Sequence, residues 1–326
     1  MGDGFPEGKP GMTADPVAAT AAGAAPAGTA AGSGPDIPAA MAARSAGENF
    51  PVALRLLPAR HRQHLMAVYG FARTVDDIGD EAPVAERGRL LEELESDLGR
   101  LYAGRGEAGR GLAGQGAHQD TVPELSVVRA LRPAVTECAI PEQPFLDLIQ
   151  ANRQDQLVTR YPAFDDLAGY CRLSANPVGR IVLHVFGAFT PARAELSDQV
   201  CTALQLAEHW QDIGEDFRAG RIYLPGEDMA RYGCPESDLS APRSSPALRA
   251  LVAFETRRAR ALLDAGAPLV GTLRGFARMA VAGYVAGGRA ALAAIAAADH
   301  DVLGAMPRPS AARTAAELLR CQATGR

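Results

Sequence analysis

The chain of 326 residues is long enough for a sizeable core, as two domains or as one large helical domain, and its formal net charge of -5 argues against a nucleic-acid binder, which would present a basic face. Its single lysine is Lys9; every other side-chain cation apart from histidine is arginine, so Schiff-base chemistry, pyridoxal chemistry and a phosphate-cradling P-loop lack the amine they need. The five cysteines, Cys138, Cys171, Cys201, Cys234 and Cys321, are widely spaced without a C-x-x-C pair, which fits neither a zinc knuckle nor a disulfide scaffold and makes a reducing cytoplasm the default location.

The first forty residues hold 8 glycines, 6 prolines and 12 alanines, so residues 1–41 are expected to be a disordered extension ahead of one all-α domain spanning 42–326. The N-terminus has neither the basic nor the apolar region of a signal peptide. From Ala42 the apolar spacing is helical, and no alternating β-branched run predicts a sheet. Pro58 suits the first position of a helix running to about Asp80, because its missing N–H costs nothing there. A second helix is expected over roughly Val84 to Tyr102, followed by a glycine-rich loop from Ala103 to Thr121. Helices resume near Pro123 and Pro144. Asn176-Pro177 reads as N-cap and first helical residue ahead of Val178 to Phe189. Further helices are predicted over Glu195 to Phe217, from Ser245-Pro246 to about Gly266, and from Arg274 to Ala297, the last large one. The apolar stretch Met279 to Ala298 carries Arg289 and is mostly Ala and Gly, too weakly hydrophobic for a membrane span.

Two segments carry chemistry. In the first, Tyr69, Arg73, Asp76 and Asp80 advance by three or four residues and line one helical face, with Asp77 adjacent. Aspartates at i,i+4 repel each other unless a cation lies between them, although a solvated helix end shows the same spacing. The second segment supplies another polar stripe, Gln205, Glu208, Asp212 and Asp216, beside an apolar side of Leu206, Trp210 and Ile213. Two acidic stripes facing each other across a bundle suit magnesium, which takes one or two carboxylates from protein and completes its shell with phosphate and water. Arg73 and Arg221 are placed for bidentate phosphate contacts. The six histidines form no zinc-protease motif; His61 and His64 are expected to be exposed, and His209 to pack beside the acidic stripe. Arg257, Arg258 and Arg260 read as a solvated face. Leu173, Val178, Ile181 and Val182 could line a hydrocarbon pocket, though core packing explains them equally well.

At these residues the sequence resembles the squalene and phytoene synthase family, from about Ser45 to beyond Tyr284. The resemblance implies an isoprenoid-synthase helical bundle in which two aspartate helices hold three magnesium ions and a prenyl diphosphate above a central apolar cavity. It implies that Asp76, Asp80, Asp212 and Asp216 ligate metal, with Glu208 standing where the family usually has asparagine. Tyr69, Arg73, Asp77, Gln205, Arg221 and Tyr223 then contact the diphosphate or shape its site, and Phe50, Tyr170 and Tyr284 lie near the flap and cavity. The strings Glu48-Asn49-Phe50-Pro51, Ser174 to Arg180 and Trp210-Gln211-Asp212 look most like the bacterial hopanoid-pathway subgroup, hydroxysqualene synthases, which ionise presqualene diphosphate and capture the cation with water without NADPH. The rival within the family is a condensing synthase joining two prenyl diphosphates such as farnesyl diphosphate; a non-catalytic assembly protein of the same fold is disfavoured by the intact acidic motifs. Long hydrocarbon substrates further imply transient contact with the inner membrane face and handover with other squalene-pathway enzymes.

Overall fold

The computed structural model describes residues 57–108, 122–304 and 307–326. The extension of residues 1–41, Phe50 and most of the glycine-rich loop lie outside the described residues. Within them the architecture is helical: α1 (Ala59–Asp80), α2 (Val84–Ala108), α3 (Ser126–Glu137), α4 (Gln143–Asp155), α5 (Phe164–Ser174), α6 (Asn176–Val185), α7 (Pro191–Arg218), α8 (Gly226–Tyr232), a 3-10 turn (Glu236–Ser240), α9 (Pro246–Gly266), α10 (Leu269–Thr272), α11 (Gly275–Ala297) and α12 (Ala311–Thr324).

Helix starts follow local chemistry. Thr190 and Ser245 cap α7 and α9 by accepting from the backbone N–H of Arg193 and Leu248, and a proline opens each helix where no amide donor is needed. Helix α6 begins one residue earlier than the sequence predicts, with Ala175 as its N-cap, because the Asn176 carboxamide instead accepts a 3.0 Å hydrogen bond from Thr202 of α7. It also ends at Val185, short of the expected Phe189, since Gly187 adopts a left-handed φ of 61° and closes the last carbonyls. Helix α2 continues to Ala108, beyond the predicted loop start. Arg274 to Ala297 is not the end of the helical structure: α12 follows and packs along α11.

The core has two parts. Leu65, Val68, Phe71 and Val75 of α1 join Leu91, Leu94, Leu98 and Leu101 of α2 and the inner faces of α3, α4 and α6 in one cluster. The other gathers α5, α7, α9 and α11 around the fully buried Trp210. Helix α6 divides its side chains between them, Ile181, Val182 and Val185 to the first and Leu183 to the second, so the pocket-lining residues suspected among these are core. Gly179 lets α6 approach α7 closely, as a Cβ there would stand 2.4 Å from Ser197 Oγ and 2.5 Å from Cys201 Sγ. Helix α11 is long and apolar enough to cross a membrane by length and composition, but 67% of its apolar window is packed inside the bundle and its Arg289 bridges to Asp264 at 2.7 Å.

Two histidine and arginine expectations are corrected. His64 is buried, with Nδ1 3.2 Å from Cys138 Sγ, and His61 packs its ring on Phe186. Of the supposed solvated arginines, Arg258 turns inward to Asp228 and Glu255 and Arg260 pairs with Asp264, leaving Arg257 exposed.

Candidate active site

Helix α1 ends in the first acidic face. Asp76 accepts a 3.2 Å hydrogen bond from Asn152 Nδ2 of α4, and Asp80 accepts one of 2.6 Å from Arg221 Nη2. The approach of α4 depends on Gly79: a Cβ there would lie 1.7 Å from Asn152 Oδ1. Gln156, one turn on from Asn152, donates to the Gly79 carbonyl at 3.2 Å. Asp77 turns to Arg73, whose Nε lies 2.8 Å away, and the same guanidinium reaches Glu81. Arg73 is therefore engaged by its own helix end. Tyr69 is partly buried two turns earlier on α1.

Arg221 ties this face to the second acidic segment. It follows the turn at Gly220, whose φ is 85°, and is fixed by an isolated parallel bridge between Arg160 and Ile222. The Ile222 N–H donates to the Thr159 carbonyl at 2.9 Å, and Arg160 Nη1 donates to the Gly220 carbonyl at 2.7 Å. The bridge orders the backbone just beyond α4 and α7, so a guanidinium from the end of one acidic helix reaches the carboxylate of the other.

Behind Arg221 stands an aromatic wall. Tyr223 stacks on His209 at 3.7 Å and 14° and on Tyr161 at 5.7 Å and 19°; Tyr170 closes against all three. His209 is buried, as expected for a packing residue, with Gln205 at 3.2 Å and Asp216 at 3.9 Å. Tyr170 donates its hydroxyl to Asp155 Oδ2 at 2.7 Å, while Asp155 Oδ1 is buried without a hydrogen-bond partner. Burial raises both the Tyr170 phenol and the Tyr223 phenol, the latter to about 12, so both are protonated donors at neutral pH.

The carboxylates are undercompensated. Asp76 remains accessible at the mouth, yet the surrounding protein, followed by the charge of Asp80, raises it to about 6 against the stabilising bond from Asn152. Asp212, partly buried on α7, is raised to about 6 by desolvation and then by Asp216 and Glu215. Asp155 is raised to about 6 by burial, with Asp80 and Asp76 adding to the effect. Glu208 is exposed on the same helix, and Tyr284 of α11 packs at the margin of the first core. Among the described residues no three His, Cys, Asp or Glu side chains converge as a preformed metal cage. This donor set fits hard cations shared with a substrate, each taking one or two protein carboxylates and the rest of its shell from phosphate and water.

The structure thus brings Asp80, Arg221, Tyr223, Tyr170, Gln205 and Asp216 into one connected network through His209, holds Asp76 beside it by Asn152, and leaves Arg73 with Asp77, and Asp212 with its own helix neighbours. Sequence reasoning missed Asn152, Asp155 and Tyr161. The signal for the first two was a pair of polar residues one turn apart at the end of α4, a helix whose remaining inward positions are apolar.

A family model described as squalene/phytoene synthase matches residues 43–315. The chain belongs to this family. It is 37% identical to the hydroxysqualene synthase of Rhodopseudomonas palustris over 70% of its own length and 72% of that protein, and 33% identical to the phytoene synthase of Mycobacterium tuberculosis over 58% of its length and 57% of that one. Among solved structures it resembles squalene synthase HpnC from Alicyclobacillus acidocaldarius, with TM-score 0.70, 39% identity and coverage of 80% of this chain and 92% of that one. It also resembles a dehydrosqualene synthase in complex with ligand, with TM-score 0.74, 25% identity and coverage of 87% and 95%. The isoprenoid-synthase fold expected from the motifs is the fold observed.

Proposed function

We propose that the chain converts presqualene diphosphate and water to hydroxysqualene and diphosphate. The observation that carries this reading is the Arg221 guanidinium, held 2.6 Å from Asp80 and emerging from the end of the second acidic helix, with a wall of neutral aromatics behind it. The comparisons with hydroxysqualene synthases support it at 34–37% identity.

Asp76, Asp80, Glu208, Asp212 and Asp216 would hold magnesium, which supplies Lewis-acid neutralisation of the departing diphosphate. Arg221 leaves Asp80 for the phosphate oxygens, a better bidentate partner, and Tyr223 orients it from behind. Arg73 exchanges Asp77 for phosphate in the same way. Tyr161, Tyr170 and Tyr223 present rings to the cyclopropylcarbinyl cation, and burial keeps their hydroxyls protonated, so no phenolate quenches it. Water then adds its oxygen to the rearranged cation and gives up a proton, leaving the alcohol.

A condensing synthase is the second reading, favoured by the phytoene synthase relatives. Incubation with magnesium and either presqualene diphosphate or farnesyl diphosphate, with and without NADPH, separates the two by product mass. Hydroxysqualene from presqualene diphosphate without NADPH is expected. Presqualene diphosphate, squalene, dehydrosqualene or phytoene as the only product transfers the assignment to the condensing class. Asp76→Ala and Asp212→Ala are expected to abolish turnover with helical circular dichroism unchanged, and full activity in either removes the metal assignment.

A further inference from the structure

Helix α7 acts as a ruler for the molecule. Its acidic stripe of Glu208, Asp212 and Asp216 sits in the C-terminal half, and Asp212 lies 21 residues from Pro191, or about 31 Å along the axis at 1.5 Å per residue. Helix α11 runs beside it in the same sense: a Cβ on Gly288 would meet Leu204, and Arg193 reaches the Thr272 carbonyl just ahead of α11. Both helices therefore begin at the end of the bundle remote from the diphosphate network.

That end is unusually apolar at its tip. Phe189 and Phe276 are exposed, 39% and 44%, where most other large apolar side chains are buried. Both segments are held in place. One guanidinium, Arg193, donates Nη1 to the Ala188 carbonyl at 2.9 Å and Nη2 to the Thr272 carbonyl at 2.7 Å, clamping the chain immediately before Phe189 to the chain four residues before Phe276. Phe189 also stacks on His184 at 4.3 Å and 18°. The surrounding charge is basic: Arg274 is exposed beside Phe276, Arg193 and Arg278 lie at the same end, and neither α7 nor α11 has an acidic residue in its first turn. Glu195 and Asp198, in the second turn of α7, oppose it, but Asp198 is paired with Arg180 at 2.6 Å, and Asp264 is occupied by Arg260 and Arg289.

The geometry points to this end as a docking surface for an anionic lipid bilayer, with Phe189 and Phe276 entering the interface, Arg274 facing the headgroups and the clamping Arg193 adding its charge behind them. Aromatic rings rigidly presented among arginines suit the interfacial zone, where a ring leaves water while cationic neighbours stay hydrated at an anionic surface. The purpose rests on the long-chain substrate proposed above: the diphosphate is handled at one end and hydrocarbon is delivered or collected at the other. The binding itself does not depend on that reading and is measured without turnover.

Co-sedimentation of the full chain with phosphatidylcholine vesicles, with and without phosphatidylglycerol, tests the surface. Wild type is expected to bind the phosphatidylglycerol vesicles, and added salt to weaken that binding. The Phe189→Ser/Phe276→Ser double variant is expected to lose on the order of tenfold in vesicle affinity, the scale of two aromatic side chains no longer leaving water. Leu157→Ser removes a leucine that is 84% exposed near the diphosphate end and is expected to bind as wild type does. Hydrolysis of detergent-solubilised presqualene diphosphate and the circular dichroism of the double variant are expected to stay at wild-type levels. Failure of wild type to bind, equal binding by the double variant, equal loss in Leu157→Ser, or a change of molecular mass in the double variant, marking a contact between copies, would each overturn the assignment. Absence of turnover with intact Phe-dependent vesicle binding would instead overturn the substrate reading alone.

Discussion

Asn152 shows how much of the site hangs on one missing methyl group. Its carboxamide sits under the last turn of α1 because Gly79 has no Cβ, and from there it donates to Asp76. Gly79→Ala places a carbon 1.7 Å from Asn152 Oδ1, so the side chain must swing away and the Asp76 bond is lost. The expected result is a turnover at least about tenfold lower, from loss of one charge-assisted hydrogen bond of roughly 1.5–3 kcal/mol, with helicity and core packing retained. Steady-state kinetics with circular dichroism checks it, and wild-type kcat in Gly79→Ala would show that Asn152 does not position Asp76. The acidic stripes were legible because i,i+4 carboxylates are costly and mark themselves. Asn152, Asp155 and Tyr161 were not, since each is ordinary in its own helix or loop and gains meaning only when α4 and the Arg160–Ile222 bridge bring it to the others. Arg221 stood out in the sequence as a guanidinium suited to phosphate, but its reach to Asp80, 141 positions away, was not legible.

At the scale of elements, proline and serine punctuation located the starts of α1 and α9, whereas α7 was expected from Glu195 and begins four residues earlier, at the Thr190-Pro191 cap that the reading passed over. Helices α5, α8 and α12 escaped because they are short or carry mostly alanine and arginine on the outside, and their stability comes from neighbours that sequence does not display. Arg258 is the clearest example. Read as part of a solvated run, it instead lies over the Phe164 ring of α5 at 4.1 Å and donates to Asp228 of α8 and Glu255 of its own helix α9. Two carboxylates share this guanidinium in the interior, and Glu255, with no exposed surface, is raised to about 8 chiefly by burial, with Asp228 adding and Arg258 opposing. A raised folded pKa means the native state holds a proton that the unfolded chain has released, so stability falls as pH climbs from about 4.5 to about 8 and levels off above. Glu255→Gln keeps the volume and the hydrogen-bonding groups without the charge. Its Tm is expected to match wild type near pH 5 and exceed it above pH 8, by differential scanning calorimetry across that range; a constant offset at every pH would mean that Glu255 is ionised throughout.

For the whole molecule, the same linkage connects folding to the diphosphate site. Asp76, Asp155 and Asp212 are each raised to about 6 from 3.8, so ligand-free protein loses stability as pH rises through that interval and stays at the lower level beyond it. Cations that coordinate Asp76 and Asp212 require them deprotonated and reverse part of this loss, since a ligand that binds only the folded state stabilises it by mass action. Magnesium with inorganic diphosphate is therefore expected to raise Tm strongly at pH 7.5 and weakly at pH 5. Glu255 titrates with the same sign but lies in a separate arginine-paired cluster, so it contributes to the pH slope without magnesium and leaves the magnesium-dependent difference to the active site. The Asp76→Asn/Asp212→Asn double variant should reduce the pH slope between 4 and 6, leaving the shares of Asp155 and Glu255, and abolish the magnesium effect. Thermal scans of both proteins at the two pH values check this, and an equal magnesium shift at pH 5 and pH 7.5, or one that survives the double variant, would place the cation on other groups.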